Sequence, residues 1–171
     1  MMQLRRNSTA VLVVGLTAWL ACAMPTLAPA ATSPRSVIDM AGRTVPLPDS
    51  VERVVAVGSV PVIHSFILTM GKAETIVNGL PLFAQGKRYH FHRLFAPNLA
   101  KQPITQGPGG EPDIERLLEL KPQVILVMDK MLIEVLERRG FTVVFLAWRQ
   151  SDDIRALMTL LGQIFHTEEI A

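Results

Sequence analysis

Along residues 112–127, Pro-Asp-Ile-Glu-Arg-Leu-Leu-Glu-Leu-Lys-Pro-Gln-Val-Ile-Leu-Val, apolar positions first recur at helical spacing and then run without a break. That pattern predicts a short amphipathic helix leading into a buried strand. Asp113 stands where a helix N-cap belongs, Ile114, Leu117, Leu118 and Lys121 follow at i, i+3, i+4 and i+7, and Pro122 stops the helix. Glu115 falls off the apolar stripe in the first turn, where the helix dipole favours a carboxylate. Such a side chain is either simply solvated or free to meet a cationic partner.

The same alternation of strand and helix fills the middle of the chain. A β-branched run at 53–57 precedes a helix over 61–70 closed by Gly71, then come an apolar run at 75–78 and a helix near 88–95. Ile104-Thr105 precedes the helix already described; strand 124–128, helix 131–139 with Gly140 as its stop, and strand 142–146 follow. Apolar strands alternating with helices predict an α/β fold, a parallel sheet with helices on both faces. Ahead of it, 37–39 and 43–46 flank Met40-Ala41-Gly42 as an edge hairpin. Ser151, Asp152 and Asp153 start a last helix whose apolar face is Ile154, Leu157, Met158, Leu161 and Phe165. That face is expected either to fold back on the domain or to need a second one.

The first residues have a different character. Arg5 and Arg6, an apolar run over 10–23 and the small residues Ala28-Pro29-Ala30 read as a secretory signal peptide over 1–31, cleaved after Ala30 or Ala31. The run is shorter than the ~20 residues of a membrane-spanning helix. Asn7, Ser8 and Thr9 suit a twin-arginine signal poorly, and Trp19-Leu20 ahead of Ala21-Cys22 suits a lipid attachment site poorly. Removing the leader lowers Lys plus Arg from 17 to 15, against 15 Asp plus Glu. The exported part is therefore neutral, with no clustered positive charge to indicate nucleic acid as a partner. Cys22 is the one cysteine, so the exported part has no disulfide framework and no thiolate metal site.

Ligands of parallel sheets bind beyond the carboxyl ends of the strands, which directs attention to loops 58–61, 79–89, 106–112, 129–130 and 147–150. Gly107-Pro108-Gly109-Gly110 lacks the Gly-Lys-Ser or Gly-Lys-Thr ending and the dinucleotide spacing, and reads as a flexible loop at a cleft mouth. Tyr89, His90 and His92 offer a phenol and imidazoles that can ligate ferric iron or hold a metal chelate. No Asp or Glu lies within ten residues of them, and the alternative is an amphipathic surface segment with Phe91 and Phe95 packed inward. His64 reads as structural. Trp148 and Arg149 follow a strand directly, an aromatic face to stack on a flat ligand and a guanidinium to pair with carboxylates. The alternative wedges Trp148 under the last helix. No catalytic motif appears, and Asp129 at a strand end stands alone.

Asp39-Met40-Ala41-Gly42-Arg43 with Val45 and Pro48, Arg53-Val54-Val55, Gly71, and Pro112-Asp113-Ile114-Glu115 through Lys121-Pro122 together resemble the iron-chelate and cobalamin family of periplasmic binding proteins, the helical-backbone components of ABC importers. The resemblance spans residues 36–171. It implies a two-lobed α/β clamp joined by one long helix, of which this chain resembles the first lobe over 36–150 and the start of the interlobe helix over 151–171, without the second lobe. The resemblance also implies that Tyr89, His92, Trp148 and Arg149 contact a ferric siderophore, haem or corrinoid, and that Glu115 docks on arginines of the membrane permease. A monomeric periplasmic protein with no catalytic residue, no resident metal and no cofactor is expected. Where family members often have Pro-Asp after the helix, this chain has Pro122-Gln123. Two other readings stay open: a small exported α/β enzyme using Asp129 and the 107–110 loop, and a noncatalytic scaffold pairing through its last helix.

Overall fold

The computed structural model describes residues 35–171, so the expected signal peptide lies outside the described residues. Strands β3 (Val54–Val57), β4 (Val124–Val127) and β5 (Val143–Phe145) form a parallel sheet in that order, with Val54 opposite Val124 and Ile125 opposite Val143. Every residue of these strands is buried, as their unbroken apolar sequence requires of a sheet covered twice. On one face, Val54, Ala56, Val124, Leu126 and Val144 pack with α1 (Val60–Thr69) and α5 (Ser151–Phe165). On the other, Val55, Val57, Ile125, Val127 and Phe145 meet Leu117 of α3 (Ile114–Leu120) and Leu136 of α4 (Met131–Glu137).

The apolar run at 75–78 does not become a strand. Ala73–Thr75 is a 3-10 turn, Ile76 makes one parallel bridge to Val54, and the Val77 N–H donates to the Val54 carbonyl at 3.0 Å. Beyond it the side chain of Asn78 takes the place of the backbone. Its Oδ1 accepts from the Ala56 N–H at 3.1 Å and its Nδ2 donates to the Ala56 carbonyl at 2.9 Å. Ile104-Thr105 likewise stays irregular, and the Gln106 Oε1 accepts from the Gly58 N–H at 3.0 Å. A side-chain amide carries the same donor and acceptor as a peptide unit, so the outer edge of β3 is closed without a strand.

The hairpin of β1 (Ser36–Ile38) and β2 (Thr44–Pro46) is antiparallel, with Val37 opposite Val45. Buried Asp39 fastens it. Its carboxylate accepts from the N–H groups of Ala41, Arg43 and Phe145 and from the Arg43 guanidinium, whose Nη2 also donates to the Val143 carbonyl at 3.0 Å. Arg43 reaches Glu137 of α4 as well, at 2.5 Å, so one ion cluster ties hairpin, β5 and α4. Gln123, in the place where the resemblance leads one to expect aspartate, accepts from the Glu52 and Arg53 N–H groups at 2.6 and 2.9 Å and donates to the Ser50 carbonyl at 3.1 Å.

The last helix resolves one expectation. Its apolar face is covered by its own domain, with Leu157, Leu160, Leu161, Ile164 and Phe165 buried among Val37, Val45, Leu47 and Val51. Leu160 and Ile164 complete the buried stripe, while Ile154 and Met158 of the expected face are only half-buried. The Arg35 guanidinium further holds the helix by donating to the carbonyls of Gln163 and Ile164. Among the described residues no helix is long and apolar enough to cross a membrane.

Candidate functional site

From β3 the chain runs through α1 to the edge bridge at Ile76 on one side, and later returns through α3 to β4 on the other. The connections leaving β3 and β4 thus part to opposite faces, which opens a crevice at the carboxyl ends of the strands. A cavity of about 490 Å³ lies there, bounded by Ser59 and Val62 at the start of α1, Asp129 and Lys130 after β4, and Trp148 and Arg149 after β5. The terminal helix covers a sheet face and leaves these strand tips open.

Each lining side chain is placed by its neighbours. The Trp148 ring meets Phe66 of α1 edge-on, with centroids 5.9 Å apart and planes at 88°, and stays 52% exposed. It is not wedged under α5. The Lys130 ammonium sits 5.4 Å from the Phe145 ring centroid, a cation held over an aromatic face at the cavity mouth. Asp153, in the first turn of α5, accepts from the N–H groups of Arg149 and Gln150 at 2.7 and 3.1 Å and so fixes the loop that presents Trp148 and Arg149. Asp129 caps the turn into α4 by accepting from the Met131 N–H at 2.9 Å. Two cations and an aromatic face against one engaged carboxylate suit a flat or bulky anionic ligand.

Tyr89 and His92 are not part of this cavity. His92 is buried, its Nε2–H donates to the Pro61 carbonyl at 2.9 Å, and its ring packs on Tyr89 and Phe91 with centroids 6.0 and 4.0 Å away. Burial lowers its pKa, so the imidazole is neutral and enclosed rather than offered to a chelate. Tyr89 is half-buried and lines a separate cavity of about 140 Å³ with Leu80, Gln85, Arg93 and Leu99. Phe95, expected to pack inward, is exposed. His64 is structural: its Nε2–H donates to Asn78 Oδ1 at 3.2 Å, and burial pushes its pKa down to about 4. Of the sequence candidates, Trp148 and Arg149 come together. Lys130 joins them without having been singled out, although it stands in one of the strand-tip loops.

The glycine-rich turn is closed to phosphate, because the Glu111 carboxylate lies across it, so close that any side chain at Gly107 would collide with Glu111 Oε1. Among the described residues no group of three or more His, Cys, Asp or Glu could hold a metal ion. On α3, Asp113 caps the helix by accepting from the Arg116 N–H at 3.0 Å, and Arg116 pairs with Glu119 at 2.8 Å. Glu115 is exposed and makes no ion pair among the described residues.

No protein-family model and no curated protein matches the sequence. Solved structures do match the fold. A periplasmic solute-binding protein from Veillonella parvula aligns with TM-score 0.69 at 22% identity, over 81% of this chain and 43% of that one. The fold is that of one lobe of a periplasmic solute-binding protein. The molybdate-binding periplasmic protein MolA of a Haemophilus influenzae ABC transporter, solved with molybdate, aligns with TM-score 0.66 at 22% identity, over 80% and 48% of the two chains. The petrobactin-binding protein YclQ of Bacillus subtilis gives 0.62 at 17% identity, over 81% and 47%. The chain thus spans less than half the length of these solved structures.

Proposed function

We propose that the chain is the ligand-capturing lobe of a solute-binding component of an ABC importer, acting in the periplasm without chemistry of its own. The observation that carries this reading is the open crevice at the strand tips, where Trp148, Lys130 and Arg149 converge beside the start of α1. The ligand is a metal chelate: a ferric siderophore, haem or a corrinoid. A pocket covers ~70–90% of its ligand, and a single open lobe covers less, so tight capture calls for a second closing surface. Glu115, exposed on α3 and without an ion pair among the described residues, is the docking carboxylate for permease arginines, and such a pair supplies orientation and specificity more than affinity. The enzyme reading is weaker because Asp129 is engaged in a turn and Glu111 fills the glycine loop. The scaffold reading is weaker because the apolar face of α5 is already buried.

Trp148 is the sole tryptophan beyond residue 34, so its fluorescence reports on the crevice. Titration with haem, a ferric siderophore and cobalamin is expected to quench it with one of the three. Lys130→Ala combined with Arg149→Ala should weaken that binding at least about tenfold, as expected for loss of two charge-assisted contacts. Unchanged emission with all three probes, or hydrolysis of simple esters that disappears in Asp129→Ala, sinks the reading.

A further inference from the structure

Between residues 75 and 110 the chain carries Lys87, Arg88, Arg93 and Lys101 and no acid; all 15 Asp and Glu stand elsewhere. The same stretch displays Leu82, Phe83, Leu94 and Phe95, each between 66% and 73% exposed. The fold buries Leu80, Ala84, His92, Ala96 and Leu99 of this stretch and leaves these four large apolar side chains outside. The Arg93 guanidinium of helix α2 (His90–Phe95) donates at 3.3 Å to the carbonyl of Gln85, the residue after the 3-10 turn Leu82–Ala84, and so links the two segments. Lys87, Arg93 and Lys101 of the same stretch are exposed. None of these residues lines the strand-tip cavity.

We propose that this surface docks on an anionic lipid bilayer, with Leu82, Phe83, Leu94 and Phe95 entering the headgroup region and Lys87, Arg93 and Lys101 meeting lipid phosphates. Clustered apolar exposure of this kind marks an interaction surface. Its charge selects the partner. Phe and Leu beside Lys and Arg is the composition of interfacial membrane segments, whereas lysine is depleted in protein–protein interfaces. The stretch 75–110 itself contributes no carboxylate that would repel lipid phosphate. The proposal stands apart from the importer reading and survives its failure.

The test uses the full chain with Cys22→Ser and one new cysteine, Phe83→Cys or Leu94→Cys, labelled with an environment-sensitive fluorophore, and Leu118→Cys on α3 as the control. With phosphatidylglycerol vesicles the probes at 83 and 94 should shift to the blue and brighten, the probe at 118 should not, and phosphatidylcholine vesicles should have little effect. Reversal of two charges, Lys87→Glu with Lys101→Glu, should lower vesicle affinity at least about tenfold. Because the readout is local, attachment through residues 1–34 alone leaves the probes at 83 and 94 unshifted. All three cysteine sites are exposed, and matching thermal melts confirm that the labelled chains are folded. The proposal is overturned by no shift at 83 and 94, by an equal shift at 118, or by an equal response to phosphatidylcholine. A shift that grows with protein concentration without vesicles overturns it too, and assigns the surface to a second copy of the chain.

Discussion

Strand β3 is held differently along its two edges. Toward β4 it meets a matched backbone from Val54 opposite Val124 to Val57 opposite Val127. Toward the outside it has one bridge at Ile76 and then two side chains, Asn78 and Gln106, acting as strand. The first edge is redundant, with each apolar residue adding one increment among many. The second is concentrated: Asn78 alone bonds Ala56 twice, Thr105 Oγ1 at 3.0 Å and His64 Nε2 at 3.2 Å, all buried. Stability that is spread out degrades gradually, while stability gathered in one amide is lost at a single substitution.

Asn78→Ala is the strongest way to break the comparison. It strands the Ala56 N–H and carbonyl and the His64 Nε2–H in the core, at about 3 kcal/mol or more given about 1–3 for each buried group left unpaired. Urea unfolding measures it, and a loss below about 1 kcal/mol would show that the amide does not hold this edge. Acid sharpens the same point. His64 has a pKa of about 4 when folded, because burial disfavours its charged form, against 6.5 when unfolded. The unfolded chain therefore takes up its proton first. The contribution is whole above pH 6.5 and falls as pH drops toward 4, by up to roughly 3 kcal/mol at 1.36 kcal/mol per unit. His64→Phe should flatten that limb of a denaturation series. The Asp39 carboxyl, which burial alone would raise, is lowered by its hydrogen bonds from Arg43, Phe145 and Ala41. Its share is present above its unfolded value of about 3.9 and is lost at more acid pH still.

Gln106→Ala should be milder, about 1–2 kcal/mol, because the Gly58 N–H is only partly buried and water can replace the amide. Amide exchange at Gly58 should accelerate more than at Ala56. On the redundant edge, Ile125→Val is expected to cost only about 1 kcal/mol. If it equals Asn78→Ala in the same urea series, the contrast between the edges disappears.

This difference also explains what could be read from the sequence. Helix α3, its Asp113 cap, exposed Glu115 and strand β4 were legible from helical spacing that gives way to an unbroken apolar run within sixteen consecutive residues, although of the expected stripe Leu117 is buried and Leu118 is 52% exposed. Trp148 and Arg149 were found through the general rule for strand tips, which needs only the order of elements. Asn78 was not, since the β-branched run ahead of it suggests a strand and no periodicity reveals a side chain replacing a peptide group. His92 looked available because it is polar and near Tyr89; its enclosure depends on the Pro61 carbonyl, thirty-one residues earlier. The orientation of α5 was half legible, with Leu157, Leu161 and Phe165 inward as expected. Leu160 and Ile164 join them because the sheet, absent from any one-dimensional pattern, sets the helix's rotation.

Gln106 grips Gly58, the residue that turns β3 into the crevice, and Asn78 grips β3 two residues earlier. Between these two pins lie 27 residues that contribute almost nothing to the sheet's own backbone ladder. They form a rampart with a fixed inner course: Leu80, Ala84, His92, Ala96, Leu99 and Thr105 are buried, while the outward positions such as Leu82, Phe83, Leu94 and Phe95 touch none of the sheet's ladder. Changes confined to those outward positions would reshape what the molecule meets and leave the foundation in place.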